Sequence, residues 1–221
     1  MAVLLRGALI EYGAGLIGPI PNVVIFQFNP EKLTRTLRIP ERPTGVNARE
    51  RTQAGDKTFE SVSLTAHFSA ADLLKDDKLL ARTFGIGPQL CALEKLVQPA
   101  GKIEGLIGAA LDAIGGALGG GAAPAQAIPR EQFPKTLFIW GLTRVLPVTI
   151  DSMSITELEY DHLLNPLRAE VEIGLTVIAV DDCDDDWLAK GALEYTTIAK
   201  EAQAIANLAN TAEQVVELIP L

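Results

Sequence analysis

The densest set of metal-capable side chains is "DDCDDD", in which Asp181, Asp182, Asp184, Asp185 and Asp186 stand within six positions. A calcium loop needs alternating oxygen ligands, a glycine for its sharp turn and a late bidentate glutamate. This run has no glycine and no glutamate at the required distance, so it reads as a solvated acidic linker. The two histidines, His67 and His162, lie on a strand face and in the turn-like "YDHLLNP". Neither has a serine or cysteine in a nucleophile-elbow context, so no triad is expected. Glycines at 115–121 lack the Lys-Ser/Thr pair that completes a phosphate loop. No catalytic residue, cofactor or metal site is expected, and the chain does not read as an enzyme.

Bulk properties narrow the alternatives. A net charge of −9 disfavours nucleic acid as a main partner, because phosphate binding needs a clustered basic surface. Cys91 and Cys183 lie far apart and outside metal-ligand spacings, and read as free thiols. No uncharged apolar run is long enough for a membrane span. "MAVLLR" lacks a basic leader region and a cleavage site, and reads as a first strand. The expectation is a cytoplasmic product without a signal peptide.

The elements that would position any site are mostly strands. In "VVIFQFNP", Val24, Phe26 and Phe28 alternate with Ile25 and Gln27 before Asn29-Pro30 breaks the run. "SVSLTAHF" alternates cleanly, with Val62, Leu64, Ala66 and Phe68 on one face and Ser61, Ser63, Thr65 and His67 on the other. The period then becomes helical over 70–81 and 88–99, the second bounded by Pro88 and Pro99. Strands return from 136, and a long one carries Ala169, Val171, Ile173, Leu175 and Val177 on its apolar face. In "RVLPVTIDSMSITELEY", Met153 and Ile155 are odd while Leu158 and Tyr160 are even, which predicts a bulge near Thr156-Glu157.

Two segments depart from this pattern. Over 101–130 a helical stripe (Ile103, Leu106, Ile107, Ala110, Leu111, Ile114, Ala117, Leu118) is opposed by seven glycines between 105 and 121, each costing about 1 kcal/mol against alanine. It reads as an insertion that orders only against a neighbour. The alternative is a membrane-interacting effector or pore using 103–121, although Glu104 and Asp112 are poorly suited to a surface-active helix. The tail, 187–219, reads as a helical arm with Ile198, Ala202, Ile205, Ala209, Ala212 and Val216 in a stripe. The chain thus divides at about 180 into a β domain and an acidic linker with this arm.

Several of these stretches occur together in one family. "VIFQFNPEKLTRT" (24–36), "LFIWGLTRVLPVTIDSMSITELEYDHLLNPLRAEVEIGLTVI" (137–178) and the helix "ALEKLVQP" (92–99) resemble the tube-initiator or spike-adaptor proteins of phage-tail-like contractile injection systems. The matching features are F-x-[FY]-N-P followed by x-x-L-x-R, a W-G block, an L-P-V strand, a "SITE"-like strand and an N-P-x-R-A turn. The resemblance spans roughly the first 180 residues, the insertion apart. It implies a mainly β, tail-tube-like fold: two packed antiparallel sheets in a barrel-like sandwich with one helix at the edge. It also implies a homo-hexameric ring between a trimeric spike or hub protein and the inner tube protein, near baseplate and sheath components. Many relatives continue into a LysM-like domain; here the residues after the match read as the acidic linker and the arm, and a variant without that domain is expected.

In such a ring, exposed strand edges would pair across subunits through a heterologous interface. The charged positions expected at subunit contacts are Lys32, Arg35 and Arg38 on the strand resumed after Asn29-Pro30, and Arg168, Glu170 and Glu172 on the long strand after Asn165-Pro166.

Overall fold

The computed structural model describes residues 5–12, 22–41, 58–76, 78–98, 133–180 and 185–218. Seven strands, β1 (Ala8–Tyr12), β2 (Val23–Ile25), β3 (Leu33–Arg38), β4 (Phe59–Ser69), β5 (Lys135–Trp140), β6 (Arg144–Tyr160) and β7 (Pro166–Val177), join in one antiparallel sheet. Its order is β2-β1-β5-β6-β7-β4-β3, and it does not close. Among the described residues four helices accompany it: α1 (Ala71–Lys75), α2 (Leu79–Phe84), α3 (Gly87–Leu96) and α4 (Trp187–Leu218). The protein is β-rich α+β, with α4 packed on the sheet.

The strands are hydrogen-bonded into one sheet, where two packed sheets were expected, because β6 serves both halves. Its first five residues pair with β5, as Arg144↔Trp140 through Val148↔Thr136. From Val148 onward it pairs with β7. Two wings, β2-β1-β5 and β7-β4-β3, therefore hang on successive lengths of one 17-residue strand. Both contribute to the same core: Leu9, Val24, Phe26 and Phe138 from one, Val62, Leu64, Ala66, Phe68, Val171 and Ile173 from the other.

β6 changes face twice. Ile150 pairs with Leu175 and Ser152 with Gly174, so Asp151 is an extra residue that moves the apolar set from even to odd positions. Opposite this bulge, a Cβ on Gly174 would stand 2.5 Å from Ser152 Oγ, and glycine is what permits the approach. The second irregularity lies between Glu157 and Glu159, beside the step anticipated at Thr156-Glu157. The alternation expected over 61–68 is present: Val62, Leu64, Ala66 and Phe68 are all buried.

Other expectations shift. The first strand begins at Ala8, Leu5–Gly7 having no regular structure, and residues 1–4 lie outside the described residues. The helix expected over 70–81 is two short ones, α1 and α2; the poor helix former Asp76 caps the first. α3 keeps its expected place and buries Leu90, Leu93 and Leu96 in the core. Asn22 Nδ2 donates to Ala92 O at 2.7 Å, fixing α3 to the start of β2. The insertion 101–130, including the stretch 103–121 on which the alternative membrane reading rests, lies outside the described residues, as does Cys183. Cys91 is a free, exposed thiol.

The first half of the arm is part of the body. Ala189 and Ala192 are buried against Tyr12 and Leu137, with Ile10, Val145 and Leu188 beside them. Thr196, only 1% exposed, sits over β6. Its Oγ1 accepts the Val145 N–H at 2.9 Å and donates to Val145 O at 2.7 Å. Those groups face away from β5, where no described strand continues the sheet; one hydroxyl bonds both. Thr196→Val keeps the shape and leaves the Val145 amide and carbonyl without this partner. It should cost about 1–3 kcal/mol, read as a lower urea midpoint at unchanged slope. An unchanged midpoint would remove Thr196 as an edge cap.

Candidate assembly interface

The wing β6-β7-β4-β3 has one face in the core and the other open. Register places Thr34, Ser63, Gly174 and Ser152 in one row across the four strands. The row on one side holds Thr36, Ser61, Thr176 and Thr149, and the row on the other holds Thr65, Glu172 and Ser154. The face is therefore built of small hydroxyl side chains. A shallow groove of about 460 Å³ runs over it, between Lys32 at one margin and Ser154 at the other. The Asp151 carboxylate at the bulge accepts a close hydrogen bond from Thr176 Oγ1.

Both edges of this wing are unpaired among the described residues. β3 pairs only with β4, and β6 beyond Thr149 pairs only with β7. Such edges carry rows of backbone donors and acceptors ready to extend a ladder.

The six charged positions singled out from sequence divide by strand parity. Glu170 and Glu172 share the hydroxyl-lined face with Arg168, and Lys32 stands at its groove. Arg38 has the same parity, opposite Phe59. Arg35 does not belong with them. It pairs with Val62 in register, so its side chain projects on the core side, where Nε donates to Glu60 Oε1 at 2.7 Å. Within the chain, Arg168 Nη1 lies 3.6 Å from Glu159 and His67 Nδ1 lies 3.5 Å from Glu170. Among the described residues Lys32, Arg38 and Glu172 have no ion-pair partner.

The two Asn-Pro breaks are corners pinned by the asparagine side chain. Asn29 Nδ2 donates to Leu5 O at 2.8 Å and its Oδ1 accepts from Gly7 N at 3.2 Å, tying the exit of β2 to the entry of β1. Asn165 Nδ2 donates to Thr83 O at 3.0 Å, tying the β6–β7 turn to α2. Asp161 holds that turn by accepting the Leu163 and Asn165 amides at 2.7 and 2.8 Å. Its carboxyl lies below the usual range, with the Asn165 side-chain hydrogen bond as the chief cause. Leu164 is held at φ 63°, a costly conformation for a leucine. Gly85 approaches so closely that a Cβ would meet Pro166 O at 2.1 Å.

Two carboxylates missed at the sequence level hold α4. Glu60, 8% exposed at the start of β4, receives Arg35 on Oε1 and Lys200 Nζ on Oε2 at 3.0 Å. Burial works to raise its pKa, but the hydrogen bonds from Arg35 and Lys200 outweigh it and hold the group below its usual range. Asp186, the last residue of the acidic run, is no solvated linker. Its Oδ1 caps α4 by accepting the Ala189 amide at 3.0 Å. Its Oδ2 accepts Lys135 Nζ at 2.7 Å and the Tyr12 hydroxyl at 3.2 Å. Burial opposes ionisation here too, and the bond from Lys135, with the Ala189 amide behind it, leaves the pKa lowered. Tyr12 is shifted upward by burial and by Asp186, so it remains a neutral donor. An Asp directly before an apolar run, "DWLAKGAL", was the available cap signal; nothing local linked Glu60 to a lysine 140 positions away.

Asp181, Asp182 and Asp184 lie outside the described residues. Among the described residues no group of three His, Cys, Asp or Glu side chains could hold a metal ion, and no helix is long and apolar enough to cross a membrane. No family model matches the chain, and no curated protein matches it.

Because the folded pKa values of Glu60 and Asp186 are lowered, their contribution is complete above the ordinary values of 4.5 and 3.8 and is lost as pH falls through the depressed ones. Stability should therefore decline below about pH 4.5. Glu60→Gln should be less stable than the parent at pH 7, with the gap narrowing on acidification. Urea midpoints from pH 7 to pH 3 test this; a gap constant with pH would contradict it.

Proposed function

We propose that the chain is a structural adaptor of a phage-tail-like contractile injection system, forming a hexameric ring that joins the trimeric spike to the inner tube and initiates tube assembly. The observation that carries this reading is the four-strand wing whose two edges are unpaired among the described residues, with an apolar face on its own core and a hydroxyl-lined face turned outward. Repeated around a closed ring, β3 of one copy would meet β6 of the next, a heterologous contact that satisfies both edges. The outward faces would then line a continuous channel, its rows of small hydroxyl side chains set among the charges of Lys32, Arg38, Arg168, Glu170 and Glu172.

The resemblance in motif order supports the same reading. Its two Asn-Pro elements are the corners that orient β1–β2 and β6–β7, the turns bracketing the wings. The tail-tube-like form belongs to this proposal as well: one sheet whose wings share a core is compatible with a barrel-like sandwich in which β6 spans both layers. Lys32, Arg38 and Glu172, without ion-pair partners among the described residues, are the charges best placed to meet another copy. Arg35 is withdrawn from that set, since Glu60 already holds it. The work of the protein in this reading is geometric, with no reaction of its own.

Electron microscopy of the chain co-expressed with its spike and tube neighbours tests the proposal. Six-fold rings capping the spike are expected; the absence of any ring, with no co-purification, would overturn it. Proline at Ser154 and, separately, at Ile155 identifies the edge. Successive amides of a strand point to opposite sides, so one substitution removes a bond to β7 and the other a donor on the open edge. The second kind should abolish rings while retaining the parent circular dichroism and urea midpoint.

A further inference from the structure

The two margins of the four-strand wing differ in charge. β3 carries Arg35 and Arg38, with Lys32 directly before it, and no acidic residue; Glu31 and Glu41 lie beyond its ends. Arg35 is held by Glu60, which also takes Lys200, so two cations stand against one carboxylate there. From Asp151 to Tyr160 the charges of β6 are Asp151, Glu157 and Glu159, with no cation among them. β7, the next strand in, adds Glu170 and Glu172 against the single cation Arg168, which lies 3.6 Å from Glu159. The remaining strand, β4, has Glu60, already counted, and His67, which lies against Glu170. The wing is basic at one margin and acidic at the other.

Backbone geometry by itself does not choose a partner for either edge. Each neighbouring pair in the wing is antiparallel, so β6 and β3 run in opposite directions. A copy related by rotation would lay its β3 antiparallel along β6 and continue the ladder. A two-fold axis would equally lay β3 on β3 or β6 on β6, contacts that no ring of identical joints contains. Charge separates these cases. Like charges facing one another across two strands destabilise the pair, and opposite charges stabilise it.

One antiparallel register would match along its whole length. With the outward faces aligned, Lys32 set opposite Glu159 brings Thr34 opposite Thr156, Thr36 opposite Ser154, and Arg38 opposite Ser152 beside Asp151. The extra residue in this count, Leu158, is the irregularity between Glu157 and Glu159. Cations would meet carboxylates at both ends, and hydroxyls would meet hydroxyls between them.

We infer that the opposite charges of the two margins select head-to-tail pairing of β3 with β6 between copies of this chain, and reject the pairing of like edges. The inference rests on the ring reading for which edges meet; what it adds is the residues that make the joint directional.

Two charge-reversed forms of the full chain test it, each co-expressed with the spike and tube neighbours and viewed by electron microscopy. Lys32→Glu with Arg38→Glu turns the β3 margin acidic; Asp151→Lys with Glu159→Lys turns the β6 margin basic. Either form alone should give at least tenfold fewer rings than the parent. Co-expression of the two should restore at least half the parent number, because alternation around six positions makes every joint complementary again. All four side chains are exposed, and parent-like circular dichroism and urea midpoints check the fold. If Asp151→Lys disturbs the bulge, Glu159→Lys alone takes its place. Parent numbers of rings from either form alone, or no recovery on combining two folded forms, would overturn the inference and leave the ring standing. No ring from the parent would overturn the ring reading, and the inference with it.

Discussion

The structure depends on one long strand finding hydrogen-bond partners along both of its edges. β6 has β5 beside it for five residues and β7 beside it for the rest, so each edge is satisfied for only part of its length. On the edge facing β7 the shortfall falls at Val145 and Pro147. Thr196 takes both backbone groups of Val145, Pro147 has no amide to satisfy, and its carbonyl accepts the Ile178 amide at 2.9 Å. On the opposite edge, beyond Thr149, no described element supplies partners. One end of β6 is closed by a helix and the other has no partner among the described residues.

This asymmetry explains why α4 is fastened by charge as well as packing. A short apolar seat of alanines is a weak seat. Glu60 with Lys200 at one end and Asp186 with Lys135 and Tyr12 at the other fix the first turns where Thr196 can reach Val145. Fixing that register also fixes which side faces away, and it presents Trp187, Ile198 and Ile205 to solvent. The covered edge and the uncovered stripe are consequences of the same docking.

Strands 59–69 and 166–177 were legible in the sequence because period-two alternation has one reading when a face is buried. The step near Glu157 was legible for the same reason, as a parity slip. The bulge at Asp151 left an equal signal, Leu146, Val148 and Ile150 being even and Met153 odd, and was not anticipated. The face of Arg35 was open to the same parity argument: Lys32 and Arg38 are even, Arg35 odd. What sequence could not supply is the joining of two wings through β6, which rests on which strands are neighbours. Nor could it supply the Glu60–Lys200 pair, set by how α4 returns to the sheet. The α4 stripe was visible as a pattern, but a helical period does not say which of two apolar faces the fold will bury.

The central claim is that the edge of β6 beyond Thr149 stands open in the single chain and is filled by β3 of another copy in the assembly. Hydrogen exchange resolved to individual amides, compared between the isolated chain and the chain co-assembled with its spike and tube neighbours, tests it directly. Alternate amides from Ser152 to Thr156, together with the outer amides of β3, should exchange fast in the isolated chain and become at least a hundredfold slower on assembly. Protection already complete in the isolated chain, or unchanged on assembly, would contradict the account.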